Sequence, residues 1–213
     1  MTDRIRVLSA LVTPCGVFVD VGCDHGFITK AVLDKNLCER AIITDISEKC
    51  LNKARQLLAK HIESGRVESL LTDGLKGVER ADQVCIAGMG GEEIVKIISE
   101  SPFLTKRFIL QPMKNTKKVR KVLLGNGYKI EKDFVFYCGR KYYDVIVASL
   151  GQDFYNDEEL DFGRTNLTER SPDFIRRLTE ERDKLKHLLS SENLSENSEK
   201  EIIKEIKKLE RYL

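Results

Sequence analysis

Between residues 16 and 33 the chain reads as an apolar run, a glycine-bearing turn and a helix. No other stretch restricts the fold as much. Gly16-Val17-Phe18-Val19 leads into Asp20-Val21-Gly22-Cys23-Asp24-His25-Gly26, and Phe27-Ile28-Thr29-Lys30-Ala31-Val32-Leu33 leads away. A buried strand that turns through glycines into a helix is the ligand-binding corner of a doubly wound α/β sheet. The glycines allow positive φ and close approach of the backbone to a ligand. The helix start leaves free N–H groups.

The corner is D-x-G-x-D-x-G and not G-x-G-x-x-G. A pyrophosphate favours an anion-friendly turn, and the carboxylates of Asp20 and Asp24 oppose one. They suit a ligand with a positive end, such as the amino group and sulfonium of S-adenosylmethionine. A plain strand–turn–helix corner with no ligand is the alternative. Later landmarks weigh against it. Ala41-Ile42-Ile43-Thr44-Asp45 is a short buried strand ending in a carboxylate, placed to receive ribose hydroxyls, with Ile46 following it. Leu70-Leu71-Thr72-Asp73-Gly74 is a third strand ending in an acidic residue, placed to meet an adenine edge. Val84-Cys85-Ile86-Ala87-Gly88-Met89-Gly90-Gly91 is a fourth, ending in small residues. A parallel sheet puts all these ends on its carboxyl edge, where ligands bind. One Asp after a strand is usually a turn former or N-cap; three in series ask for more. The cofactor candidates are therefore Asp20, Gly22, Cys23, Asp24, His25, Gly26, Asp45, Ile46, Asp73, Gly74, Ala87, Gly88 and Met89.

Strand and helix alternate through the first 125 residues. The periodicity predicts an amphipathic helix over 3–12, strand 17–21, helix 26–36, strand 41–45 and helix 47–63 with Ser47 as N-cap. Strands 66–71 and 83–87, helix 91–100, strand 108–110 and helix 115–125 follow. Two β-like runs, 128–138 and 142–149, meet at Gly139-Arg140-Lys141 as a hairpin. Residues 156–159, Asn-Asp-Glu-Glu, read as a linker. Residues 172–190 and 199–213 carry Ile175, Leu178, Leu185 and Leu189, then Ile202, Ile206, Leu209 and Leu213, at three- and four-residue steps. With a polar turn over 191–198, they predict an antiparallel coiled-coil hairpin. The expected division is a domain over 1–155 and a linker with helical hairpin over 156–213. A chain ending near residue 157 is expected to fold, because the sheet is complete by then. No internal repeat is present.

At 213 residues the chain can bury one ample core. No apolar run approaches the ~20 residues of a membrane span, and the charged start lacks a signal-peptide block. The six cysteines form no C-x-x-C pair and read as reduced thiols of a cytoplasmic protein. Cys23-Asp24-His25 is the nearest approach to a metal cluster, but adjacent residues converge poorly on one ion, so no metal is expected. The net charge of +2 hides an asymmetry: residues 101–130 carry eight basic side chains and no acidic one. Within them Lys114, Lys117, Lys118, Arg120 and Lys121 follow the fifth strand, near the ligand edge. A polyanionic partner is a fair reading; a solvated helix face is the bland one.

Asp20-Val21-Gly22-Cys23-Asp24-His25-Gly26, Ile86-Ala87-Gly88-Met89-Gly90-Gly91, Ile109-Leu110-Gln111-Pro112 and Gly139-Arg140-Lys141-Tyr142-Tyr143 together resemble the bacterial TrmK-type tRNA (adenine-22-N1)-methyltransferases. The likeness covers nearly the whole chain. It departs where Met113 and Lys114 precede Asn115; related sequences often follow Gln-Pro directly with Asn. The resemblance implies a class I, Rossmann-like methyltransferase domain of α/β class with a terminal β-hairpin and a C-terminal coiled coil. It implies S-adenosyl-L-methionine as cofactor and tRNA as partner, with no membrane and a monomer favoured. Asp24 and His25, with Gly88, Met89 and Gly90, are then the candidates lining the methyl-transfer site. His25 either accepts a proton or only orients the loop. Two other functions stay open: a methyltransferase of a different substrate, and a non-catalytic RNA-binding protein with a vestigial pocket.

Overall fold

The structure is a computed structural model and describes residues 2–190 and 194–213. The first half alternates as expected: α1 (Asp3–Ala10), β1 (Cys15–Val21), α2 (Phe27–Asp34), β2 (Cys38–Asp45), α3 (Glu48–Leu57), α4 (Ala59–Glu63), β3 (Val67–Leu71), β4 (Gln83–Met89), α5 (Gly91–Ser99), β5 (Arg107–Pro112) and α6 (Thr116–Gly125). Ser47 caps α3 by accepting from the Cys50 amide. The expected helix over 47–63 breaks at Leu58 into α3 and α4.

The chain then turns back through β6 (Tyr128–Cys138) and β7 (Lys141–Leu150). The seven strands form one sheet in the order β3-β2-β1-β4-β5-β7-β6. The first five are parallel, and β7 enters antiparallel between β5 and β6. Strands buried on both faces read as apolar runs, and each face has its own core. Leu8, Val32, Leu51, Ala54 and Leu58 pack under α1, α2 and α3 on one side, with Phe18, Ile43, Cys85, Ile109 and Val145. Ile94, Ile97, Val119 and Leu123 of α5 and α6 pack on the other, with Val19, Val84, Phe108 and Ile146.

The segment expected to be a linker is structured. It forms α7 (Asp157–Phe162), which starts in a capping box between Asn156 and Glu159, and α8 (Arg164–Glu169). α7 packs on α6, and α8 docks on the hairpin: the Asp133 amide donates to Thr165 Oγ1, the Thr165 amide donates back to Asp133 Oδ1, and the Val135 amide donates to Asn166 Oδ1. Backbone groups on the outer strand thus find partners in the tail, as buried amides must. A chain cut at 157 would lose these partners.

Helices α9 (Pro172–Leu189) and α10 (Glu196–Glu210) follow, the second starting three residues earlier than expected. The expected turn over 191–198 lies partly outside the described residues. Phe174, Leu178 and Leu209 share a small core with Val135 of β6, while Leu185 is half-buried and Leu188 exposed. Burial is greatest where the pair meets the sheet. Arg177 pairs with Asp144 of β7, and Lys208 with Asp161 of α7, at 2.8 and 2.7 Å.

Candidate active site

The carboxyl ends of β1 to β4 surround a cavity of about 340 Å³. The β1–α2 turn forms one wall. The Gly22 and Cys23 amides both donate to the Thr44 carbonyl, at 2.8 and 3.0 Å. Gly22 has φ of +65°, a conformation that favours glycine, and the tip of Met89 lies across the turn, 2.1 Å from where a Cβ would stand. Asp24 is left-handed (φ 48°). Its amide donates to Asp45 Oδ2, while Asp45 Oδ1 receives the Ser47 amide. Asp45 therefore ties the turn to the start of α3 and keeps lone pairs on both oxygens for a ligand.

Of the residues expected at the cofactor, Gly22, Asp24, Asp45, Ile46, Asp73, Gly74, Ala87, Gly88 and Met89 line this cavity. Asp73 is also engaged at the rim, where Lys96 lies 2.9 Å from its carboxylate and lowers its pKa. The structure does not bring Asp20, Cys23, His25 or Gly26 to the wall. Asp20 is buried behind it and accepts from Thr29 Oγ1 at 2.8 Å; burial pushes its pKa up to about 6. Cys23 is buried in the core under α2, and burial raises its thiol too. His25 stacks on Phe27, with Nε2 3.3 Å from Lys53 Nζ. Gly26 is a spacer: a Cβ there would press on Ala54 and Leu58 at 3.1–3.2 Å. Gly90, expected beside the transferred methyl, caps α5 instead.

Arg4, Val21, Thr72, Glu93 and Ile97 complete the lining. Arg4 had no sequence signal beyond a place in an amphipathic helix. Its Nε donates to Oε1 of the fully buried Gln111 at 2.8 Å. Gly88, at φ +84° where the β4–β5 register shifts, leaves room for it: a Cβ there would lie 2.8 Å from Arg4 Nη2. Among the described residues that line the cavity, Arg4 is the cation, facing Asp24, Asp45, Asp73 and Glu93.

The β4–α5 and β5–α6 turns are fastened together. The Met113 amide donates to the Met89 carbonyl at 2.8 Å and the Gly91 amide to the Lys114 carbonyl at 3.0 Å. Asn115, the residue displaced relative to related sequences, takes φ of 58° and donates to Glu92 Oε1. Its role here is to hold the turn.

The basic block needs correction. Arg120 cannot reach a phosphate: it is 1% exposed, its Nε bonds Asp133 Oδ2 at 2.9 Å, and it donates to the Leu160 carbonyl. It shares the buried stripe of α6 with Val119 and Leu123. Lys117 pairs with Asp161 at 2.6 Å, and Lys118 with Glu92. Lys114 and Lys121 are exposed and have no ion-pair partner among the described residues. Also among the described residues, no group of His, Cys, Asp and Glu could hold a metal ion, and no helix is long and apolar enough to cross a membrane.

A parallel five-strand sheet closed by a reversed hairpin, with acidic residues at successive carboxyl ends, defines a class I methyltransferase architecture. A family model described as a methyltransferase domain matches residues 1–146, and the chain belongs to that family. It is 32% identical over 133 residues to a provisionally named tRNA methyltransferase of Mycoplasma pneumoniae, a match spanning 61% of this chain and 62% of that protein. The match thus covers less than two thirds of the relative's length. Across its whole length the chain superposes on Streptococcus pneumoniae Sp1610 in complex with S-adenosyl-L-methionine, provisionally a tRNA (m1A22) methyltransferase (TM-score 0.90, 23% identity, 99% of that chain). It superposes equally fully on the B. subtilis m1A22 tRNA methyltransferase TrmK (TM-score 0.85, 21% identity, 98% of that chain). At such identities these two likenesses speak for the fold.

Proposed function

We propose that this chain transfers a methyl group from S-adenosyl-L-methionine to N1 of an adenine in tRNA, position 22 by likeness to its relatives, as a cytoplasmic monomer. The observation that carries the cofactor is the cavity's charge layout, with the Arg4 guanidinium set against the carboxylates of Asp24, Asp45 and Glu93, while Asp73 is paired with Lys96. A zwitterionic, sulfonium-bearing nucleoside needs such opposed charges. Asp45 would hold the ribose hydroxyls and Arg4 the α-carboxylate. Asp24 would face the ammonium, and Ile46 and Ile97 would flank the base. The tRNA substrate is supported by the names of the similar proteins, and a monomer by the docking of both tail helices on their own sheet.

Bound S-adenosyl-L-methionine supplies an already activated methyl group. Adenine N1 is a neutral nucleophile with its lone pair in the ring plane, so it needs no base before attack. The chain's task is then positioning, worth up to roughly 7–11 kcal/mol of the barrier. The fastened turns around Gly88–Met89 and Met113–Asn115 supply rigidity, and the nearby carboxylates favour a product that becomes cationic. His25, off the wall and beside Lys53, is not needed as a base. The test is methyl-labelled S-adenosylmethionine offered with bulk unmodified tRNA and, separately, with cell protein. Label in tRNA is expected; label in protein alone would overturn the substrate assignment.

A further inference from the structure

One face of the β6–β7 hairpin is only partly covered: Phe134 and Phe136 pack at the edge of the core under α1 and α2 and stay half-buried. Asp133 and Val135 point to one side, where α6, α8 and α9 pack. The alternate residues Phe134 and Phe136, paired in register with Val145 and Tyr143, point to the other. There the rings form a row. Phe134 and Phe136 have centroids 6.3 Å apart, and Phe136 stacks on Tyr143 at 5.4 Å and 25°. Arg4 lies over Tyr143 at 5.6 Å and itself lines the cofactor cavity. The aromatic row therefore ends at the proposed active site. All three rings are half-buried, with surface to spare.

The charges around the row are one-sided. Lys132, Arg140 and Lys141 are exposed and have no ion-pair partner among the described residues. The hairpin's carboxylates are already matched: Glu131 by Arg107, Asp133 by Arg120 and Asp144 by Arg177. Ring faces framed by unmatched cations are the chemistry of unpaired nucleotides, whose bases stack while their phosphates meet Lys and Arg. A second copy of the chain suits the face poorly, because its own cations would confront like charge.

We propose that this face is a stacking surface for unpaired nucleotides of the RNA, flanking the adenine delivered to the cavity. The proposal rests on the tRNA reading above. Extruding a base costs a few kcal/mol of stacking, and a platform for its neighbours offsets that cost. On α6, by contrast, Lys117, Lys118 and Arg120 are spent on intramolecular pairs, leaving Lys121 as its unpaired cation among the described residues.

The experiment uses full-length protein, fluorescence anisotropy with unmodified tRNA, and calorimetric titration with S-adenosylmethionine. Phe136→Leu keeps apolar bulk and removes the ring. It should weaken tRNA binding by about fivefold or more and leave cofactor affinity unchanged. Phe136→Trp should keep wild-type tRNA affinity. The double variant Lys132→Ala, Lys141→Ala should flatten the salt dependence of tRNA binding. Wild-type tRNA affinity in Phe136→Leu would overturn the proposal, as would loss of cofactor affinity along with it, which would mean packing and not stacking. A wild-type dimer that Phe136→Leu splits into monomers would give the face to a second copy and also overturn it. Failure of the tRNA reading itself looks different: the wild-type protein would then transfer no methyl to tRNA.

Discussion

Two carboxylates separated by four positions carry opposite assignments. Asp24 lines the cavity, whereas Asp20 is sealed behind the turn with Thr29. Burial lifts Asp20 from 3.8 to about 6, against the opposing pull of Thr29 and Arg4, with Asp45 adding to the rise. The folded chain thus keeps a proton that the unfolded chain loses from about pH 4 upward, so this group's contribution to stability falls as pH rises toward 6. The full effect is about 3 kcal/mol at 1.36 kcal/mol per pKa unit. Asp20→Asn still offers Thr29 an acceptor and removes the titration. Its stability relative to wild type, from urea unfolding, should rise between pH 4 and 6.5; a difference independent of pH would count against this account. At the cavity itself, Asp45→Ala should weaken S-adenosylmethionine binding at least about tenfold, since hydrogen bonds to charged groups are worth about 1.5–3 kcal/mol. Arg4→Ala should weaken it comparably. Unchanged affinity in either folded variant would remove that residue from the cofactor site.

Helix α6 shows why a charge run is a weak guide. Its register buries Val119, Arg120 and Leu123 on one stripe, so the arginine meets Asp133 on the neighbouring strand, while Lys117 and Lys118 find carboxylates on α7 and α5. None of these partners is near in sequence, which is why spacing alone could not separate a buried cation from a solvated one. Breaking a buried pair leaves an uncompensated charge and costs about 3–5 kcal/mol. Arg120→Ala should therefore lower the urea midpoint strongly, while the folded fraction binds tRNA with an unaltered salt slope. A stable variant with a flattened slope would restore Arg120 to the RNA surface. The β1–α2 corner, by contrast, was legible as a strand–turn–helix, though of its expected cofactor residues only Gly22 and Asp24 line the cavity. Its glycines are demanded by local φ, +65° at Gly22 and +75° at Gly26, and such demands are written in the local sequence.

At the scale of the whole molecule, alternation of strands and helices predicted the sheet and its closing hairpin, because both depend on local periodicity. The tail was harder to read. Its helices were visible as a three- and four-residue rhythm, but their burial partners, Val135 and Tyr142 of the hairpin, lie some 30 to 75 positions away. Arg4 is held at the cavity by a partner farther off still, Gln111, 107 positions along the chain. The docking of α7 and α8 sets where the chain can be cut. A protein ending at residue 157 should fail to fold, because Arg120 loses its carbonyl acceptors on α7 and the β6 amides lose theirs on α8. One ending at residue 170 should keep the sheet and bind S-adenosylmethionine. Equal cofactor affinity in both would show that these contacts are dispensable.

The central claim is that the cavity and the RNA surface together deliver a methyl group to one ring nitrogen. Methylation at adenine N1 blocks Watson–Crick pairing and so stops a reverse transcriptase. Unmodified tRNA incubated with the purified protein and S-adenosylmethionine, then read by primer extension, should show a new stop at adenine 22. The same reaction with Asp45→Ala should show the stop only weakly. Methylation of tRNA with no new stop, or with a stop at another base, would contradict the account.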